Sequence, residues 1–197
     1  FDSRMVEEVP VSDRHRILFC PLAVQPEFFV PSTRMDRLTA GDVCFIGAPY
    51  PERVKALEAL RSFRPVIYGW DAWKKTSLAD LYQGPASLGE SVALYRRAKI
   101  SLNMNLEPAC AGVNLKTFEI PAAGGFQMTD RRDDLSQLFV EGSEVAVFDS
   151  VPELVEKVRY YLEHDQERVQ IAGAGHARVL RDHTLSGRLE QILNHIL

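Results

Sequence analysis

Short, unbroken apolar runs alternate with amphipathic stretches over most of this chain. Val43-Cys44-Phe45-Ile46, closed by Gly47, is one such run. Val66-Ile67-Tyr68-Gly69, Ile100 to Asn105, Phe126 to Thr129 and Val145-Ala146-Val147-Phe148 are the others. Such runs read as strands buried on both faces, although polar residues interrupt the otherwise apolar Ile100 to Asn105. Between the runs lie helical patterns. Val54, Leu57 and Leu60, with Ala56 and Ala59, form the stripe of a helix that opens at Pro51 and extends to about Ser62. Ser87 caps a second helix with Leu88, Val92 and Leu94-Tyr95 on its apolar face, ending near Ala98. The segment Gly112 to Gly125 reads as a loop turning into a third, and Leu135, Leu138 and Phe139 sit on a short fourth. From Val151 the pattern is wholly helical: one helix carries Leu154, Val158 and Leu162, a second begins at His164-Asp165, and a third covers Thr184 to Leu197.

Strands alternating with helices predict the α/β class, here a Rossmann-like doubly wound parallel sheet with a helical C-terminal region. Its ligand belongs at the carboxyl ends of the strands. This domain is expected over residues 42–197. Residues 1–41 read as a lead-in segment and interdomain linker with one short strand, Ile17 to Val24, and an extended piece between Pro26 and Pro31. The opening, Phe1-Asp2-Ser3-Arg4-Met5, reads as the middle of a longer chain.

Composition changes this picture little: 197 residues, 46% hydrophobic and 25% charged, suit one self-sufficient core. The net charge of −4 argues against nucleic acid as a partner, so any anionic ligand must be held by local donors. No stretch reaches the roughly 18 apolar residues of a membrane span. Cys20 and Cys44 lie in apolar runs and read as buried free thiols of a reducing, cytoplasmic compartment, while Cys110 sits in a loop. The five histidines show no metal-ligand spacing, so no metal and no cofactor are expected.

The chemistry concentrates at four loops after strands. In the fourth, Gly112, Val113, Asn114, Lys116 and Thr117 precede Glu119 on the predicted helix. Asn114 is the expected N-cap. Lys116 then falls in a helical turn where the macrodipole disfavours a cation, which makes sense if an anion shares the site. The bland alternative is a solvated Lys near Glu107. Glu119 either binds vicinal hydroxyls of a ribose or faces solvent. In the first loop, Gly47 stands alone where a dinucleotide fingerprint needs three glycines. Arg53 there is either a fork donor to phosphate or a surface partner of Glu52 or Glu58. In the second loop, Gly69 and Trp70 end a strand, and Trp70 either stacks on a flat ring or packs beneath the polar excursion 71–86. Gly84-Pro85-Ala86 borders the same region. In the third, Asn103 is either hydrogen-bonded inside or open to ligand.

Phe118-Glu119-Ile120-Pro121-Ala122-Ala123-Gly124-Gly125, followed by Thr129-Asp130, resembles the nucleotide-sugar half of group 1 glycosyltransferases, with the closest likeness to the spore-maturation CgeB-like branch. Pro21 to Phe29, Phe45-Ile46-Gly47 with Arg53, Tyr95 to Asn103, and Asp182-His183-Thr184 match in the same order. The resemblance covers roughly residues 17–197. It implies the carboxyl-terminal half of a GT-B architecture, binding a nucleotide-diphosphate sugar for transfer to an unidentified acceptor. The amino-terminal domain of the same chain would hold that acceptor. It further implies that Glu119 contacts the ribose, that Arg53 and Lys116 contact the diphosphate, and that the backbone of Gly112 and Val113 approaches the sugar. The first Glu of the family's Glu-x7-Glu motif is replaced here by Ala111. A non-catalytic module of the same fold is the competing reading, and a sugar epimerase is a third.

Overall fold

The five apolar runs are the strands of one sheet. The computed structural model describes residues 2–30, 38–105 and 111–197. In it β1 (Val43–Gly47), β2 (Val66–Gly69), β3 (Ile100–Asn103), β4 (Gln127–Asp130) and β5 (Ala146–Phe148) pair in the order β2-β1-β3-β4-β5. Every pairing is parallel, with Phe45 opposite Ile67 on one side and Leu102 on the other. Side chains alternate across a strand, so two cores form, one per face. Val43, Phe45, Ile67, Leu102 and Met128 pack against α2 (Pro51–Ala59) and α6 (Val151–Glu163) through Leu57, Leu154 and Val158. Cys44, Ile46, Tyr68 and Val147 pack on the opposite side, with Leu94 and Tyr95 of α3 (Leu88–Arg97), Phe118 and Ile120 of α4 (Lys116–Ala122) and both leucines of α5 (Leu135–Leu138). Burial drives the Cys44 thiol up to about 12, so it stays protonated and inert. The doubly wound α/β expectation holds.

Helix starts follow local chemistry. Ser87 and Glu90 form a reciprocal capping box at α3, and Ser150 accepts from the Glu153 N–H at α6. The helix α7 (Asp165–Asp182) packs on α4 and on the turn before β5, where a Cβ on Gly175 would lie 3.6 Å from Pro121 and 2.4 Å from the Glu144 carbonyl oxygen. One residue on, the His176 ring bonds the Pro121 carbonyl at 2.8 Å. The helix α8 (Leu185–Ile196) is capped by Thr184. Among the described residues no helix is long and apolar enough to cross a membrane.

Three expectations need correction. Ile17 to Val24 is not a strand: only Val24 makes a bridge, to Thr184, because the segment runs beside α8 and never reaches the sheet. Lead-in residues instead form α1 (Arg4–Glu7) and two 3-10 turns, Val11–Arg16 and Pro26–Phe29. The third strand ends at Asn103, two residues early, where Asn105 turns its backbone N–H to the Asp130 carboxylate. Cys20 is half-buried rather than buried. Cys110 and Glu107 lie outside the described residues.

Candidate functional site

The chain leaves β1 toward β2 on one side and returns to β3 on the other, so the connections part between β1 and β3. In open α/β sheets a crevice opens at the carboxyl ends of strands where the order reverses. Here it is a cleft of about 400 Å3. Gly47, Ala48, Tyr50 and Arg53 line it after β1, Trp70 after β2, and Asn105, Gly112, Val113, Asn114 and Lys116 between β3 and α4. It brings together Gly47, Arg53, Trp70, Gly112, Val113, Asn114 and Lys116 of the residues expected from sequence. Gly69, Asn103, Thr117 and Glu119 stand behind or beside it.

Gly69 sets the shape of the mouth. Its φ of +134° is open only to glycine, and a Cβ would lie 2.2 Å from the Gly47 carbonyl oxygen. That same oxygen accepts from Trp73 Nε1 at 2.8 Å. Trp73, fully buried and edge-on to Phe45 at 6.0 Å, is therefore the tryptophan that packs beneath the 71–86 excursion. Trp70 is 66% exposed at the cleft.

Arg53 is not a surface residue paired with Glu52 or Glu58. It is 8% exposed, and its Nε and Nη2 donate to the Met104 carbonyl while Nη1 donates to that of Ala48. The guanidinium lies 5.2 Å from the Tyr50 ring and 5.6 Å from that of Phe45. Carbonyl partners supply no counter-charge. Burial pulls its pKa down, opposed by Tyr50 and the Asp130 carboxylate. Two of its five N–H groups remain for a ligand.

Lys116 is the first residue of α4 and is largely desolvated. Burial lowers its pKa, Glu119 pulls it back up, and Arg53 lowers it again by repulsion. Glu119 is raised by burial and lowered by Lys116. No ion pair or hydrogen bond joins either side chain to another described residue. Two cations, one buried and one half-buried, repelling each other across one cleft hold an unmet demand for an anion. With α4 only seven residues long, the side chains rather than the helix dipole must meet it.

Asn114 is not the N-cap, which is Leu115; its side chain caps nothing. Its backbone N–H donates to Asn105 Oδ1 at 2.8 Å and its Nδ2 to Asn103 Oδ1 at 2.9 Å. Asn105 is held in turn by Asp130, whose other carboxylate oxygen takes Arg132. Asn103 is fully buried and gives Nδ2 to Thr117 Oγ1 at 3.1 Å, so both residues build the cleft wall from behind. At the far end of the loop, the Ala111 N–H donates to the Asp2 carboxylate at 3.2 Å and its carbonyl accepts from Asp134 N–H at 3.1 Å. Sequence reasoning passed over Tyr50, Asn105 and Asp2 as site residues. Asn105 carried a signal, a second polar residue ending an apolar run, whereas Asp2 gave none.

The family described as Glycosyl transferase-like matches residues 46–194. No curated protein matches the chain significantly. Among solved structures, a glycosyltransferase from Rickettsia africae superposes with a TM-score of 0.70 at 13% identity, covering 92% of this chain and 57% of its own. Anabaena HepE in complex with UDP gives 0.70 at 11% identity, covering 88% and 55%. The C-terminal domain of the group 1 family glycosyl transferase LpcC from Francisella tularensis gives 0.58 at 14% identity, covering 82% of this chain and 99% of that domain. The chain thus spans about half the length of the first two proteins and nearly all of the isolated domain. Its fold is that of GT-B carboxyl-terminal domains. With three-quarters of its length inside the family match, the chain belongs to the glycosyl transferase-like family.

Proposed function

We propose that the cleft binds a nucleotide-diphosphate sugar, as the donor-binding half of a glycosyltransferase of the CgeB-like branch, and that a further domain of the same protein binds the acceptor. The observation that carries this reading is the pair Arg53 and Lys116, two desolvated cations without a carboxylate in bonding distance, facing one cleft at the switch point of the sheet. Diphosphate fits that demand, and the same charges stabilise it as a leaving group while negative charge grows on it. Glu119, one turn along α4, takes ribose hydroxyls, and exposed Trp70 offers a face for the base beside Gly84-Pro85-Ala86.

Calorimetry of the chain with UDP, GDP and ADP tests this. One nucleotide should bind, and Lys116→Ala should weaken it by on the order of tenfold or more, the worth of a charge-assisted contact. Unchanged affinity in the variant would sink the assignment. Ala111 favours a second reading, a module that binds nucleotide without transferring sugar, since no carboxylate side chain stands at that motif position. That reading expects nucleotide binding by the full-length protein without turnover of any nucleotide sugar.

A further inference from the structure

One polar atom of the cleft has no partner: Asn114 Oδ1 is buried and unbonded. An amide oxygen and nitrogen exchange on a half-turn, so its identity must be fixed by the neighbours. They do fix it, starting from a proline. Pro121 lies inside α4 and has no N–H for the Thr117 carbonyl four residues before it. Gln127, on β4, fills that gap by donating from Nε2 at 3.4 Å. A carbonyl only accepts, so Gln127 Oε1 must face Asn103, and Asn103 Nδ2 donates to it at 3.5 Å. The Asn103 oxygen is thereby turned to Asn114 and accepts from Nδ2 at 2.9 Å. Reversing any one amide sets oxygen against oxygen at the next link. The chain of buried amides therefore has one polarity and delivers an unpaired acceptor at Asn114.

From this we infer that Asn114 Oδ1 accepts a hydrogen bond from a hydroxyl of the bound ligand and sets specificity for that hydroxyl. Leaving a buried acceptor unmade costs its full desolvation penalty, which an arriving donor recovers. A phosphate oxygen cannot serve, since it only accepts and would be repelled. The cleft is thus divided, with phosphate toward Lys116 and Arg53 and a hydroxyl toward Asn114. The main-chain bond to Asn105 and the side-chain bond to Asn103 hold Asn114 in place, and water does not reach the oxygen. The hydroxyl must come with a ligand that shifts the cleft wall on entry. It belongs either to the ribose or to the transferred sugar.

This inference rests on the nucleotide reading, and one titration separates the two. The chain is titrated calorimetrically with UDP, GDP and ADP, and the nucleotide that binds is compared with its 2′-deoxy and 3′-deoxy forms and its glucose conjugate. The native protein should bind the ligand carrying the recognised hydroxyl on the order of tenfold more tightly than the one lacking it. A deoxy penalty assigns the ribose, and a gain with the conjugate assigns the sugar. Asn114→Ala should lose that preference while still binding the hydroxyl-deficient ligand. An equal loss for every ligand in Asn114→Ala, or no preference in the native protein, overturns the hydroxyl role while the nucleotide site stands. If no nucleotide binds, the nucleotide reading falls and this inference with it.

Discussion

The cost of function is visible in single side chains. Glu119 is held in a place that disfavours its charge, since burial raises its pKa more than Lys116 lowers it. A carboxyl with a raised folded pKa gives up stability above that pKa, where the native state must carry the charge. Below the ordinary glutamate value of about 4.3, both folded and unfolded chains are protonated and the cost disappears. Glu119→Gln should therefore raise the Tm at neutral pH, with the gain shrinking as the pH falls through the raised folded pKa and gone below the ordinary value. The same variant should bind nucleotide at least several-fold more weakly. A Tm at neutral pH equal to or below that of the native protein would contradict the sign argued here. Lys116 is the mirror case, its pKa depressed by burial. For Glu119 the apolar neighbours Phe118 and Ile120 already argue against full exposure, but the burial of Lys116 was not legible, because a lysine beside a loop reads the same whether the loop folds over it or away from it.

At the scale of elements, the strands were legible and the connections were not. A parallel strand covered on both faces favours apolar residues, so Val43–Ile46 and Val66–Tyr68 read plainly as strands, while β3 and β4 bury Ser101, Asn103, Gln127 and Thr129 among their apolar residues. Ile17 to Val24 carries the same signal yet only Val24 is buried, and the segment bonds to the start of α8 rather than to the sheet, since apolarity does not name the element a segment packs on. Asn114 misled for a related reason: its side chain competes for Asn103 rather than for its own helix. The docking of α8 was hidden as well. His183 lies against Phe118 and Phe139, its Nε2–H donating to the Leu138 carbonyl at 2.9 Å. Its Nδ1 accepts from Arg188 at 2.7 Å, which fixes the neutral ring. Arg188 reaches on to the Pro21 carbonyl, tying the lead-in segment to α8. Burial depresses the His183 pKa, with Arg188 and Arg178 adding to the shift and the Leu138 bond and Asp182 opposing it. Its stability contribution is whole above the unfolded value of about 6.5 and is lost as pH falls through the folded one. Amides of α8 should exchange faster at about pH 5 than at about pH 7 after correction for intrinsic rates. His183→Gln, which keeps a donor and an acceptor, should flatten that dependence. Equal acid sensitivity in both proteins would remove His183 as the cause.

For the whole molecule the question is which concavity matters, and volume is a poor guide. A groove of about 530 Å3 lies among Phe19, Arg178, Arg181, Asp182 and Arg188, and another of about 570 Å3 at Glu163 to Gln170. Both exceed the cleft at the switch point. The first has cations too, but Arg178 and Arg181 are each paired with Asp182, so their charge is already answered. The second is acidic, with Glu163, Asp165 and Glu167, and would repel a phosphate. Arg188 in the first groove also lacks a carboxylate partner, but four of its five N–H groups are spent on the Pro21 and Asp182 carbonyls, Gln191 and His183, whereas in the switch-point cleft Arg53 and Lys116 together keep donors free. The chain also carries a net charge of −4, so no general attraction draws an anion to the surface. A nucleotide should therefore protect residues 47–53, 69–71 and 112–119 in hydrogen exchange and leave 163–170 and 178–194 unchanged. At about 100 times its Kd it should add roughly 2.7 kcal/mol to stability, a Tm rise on the order of 5–10 °C for a chain of this size. Protection centred on 178–194 instead would move the anion site to the groove beside α8 and leave Arg53 and Lys116 without a ligand.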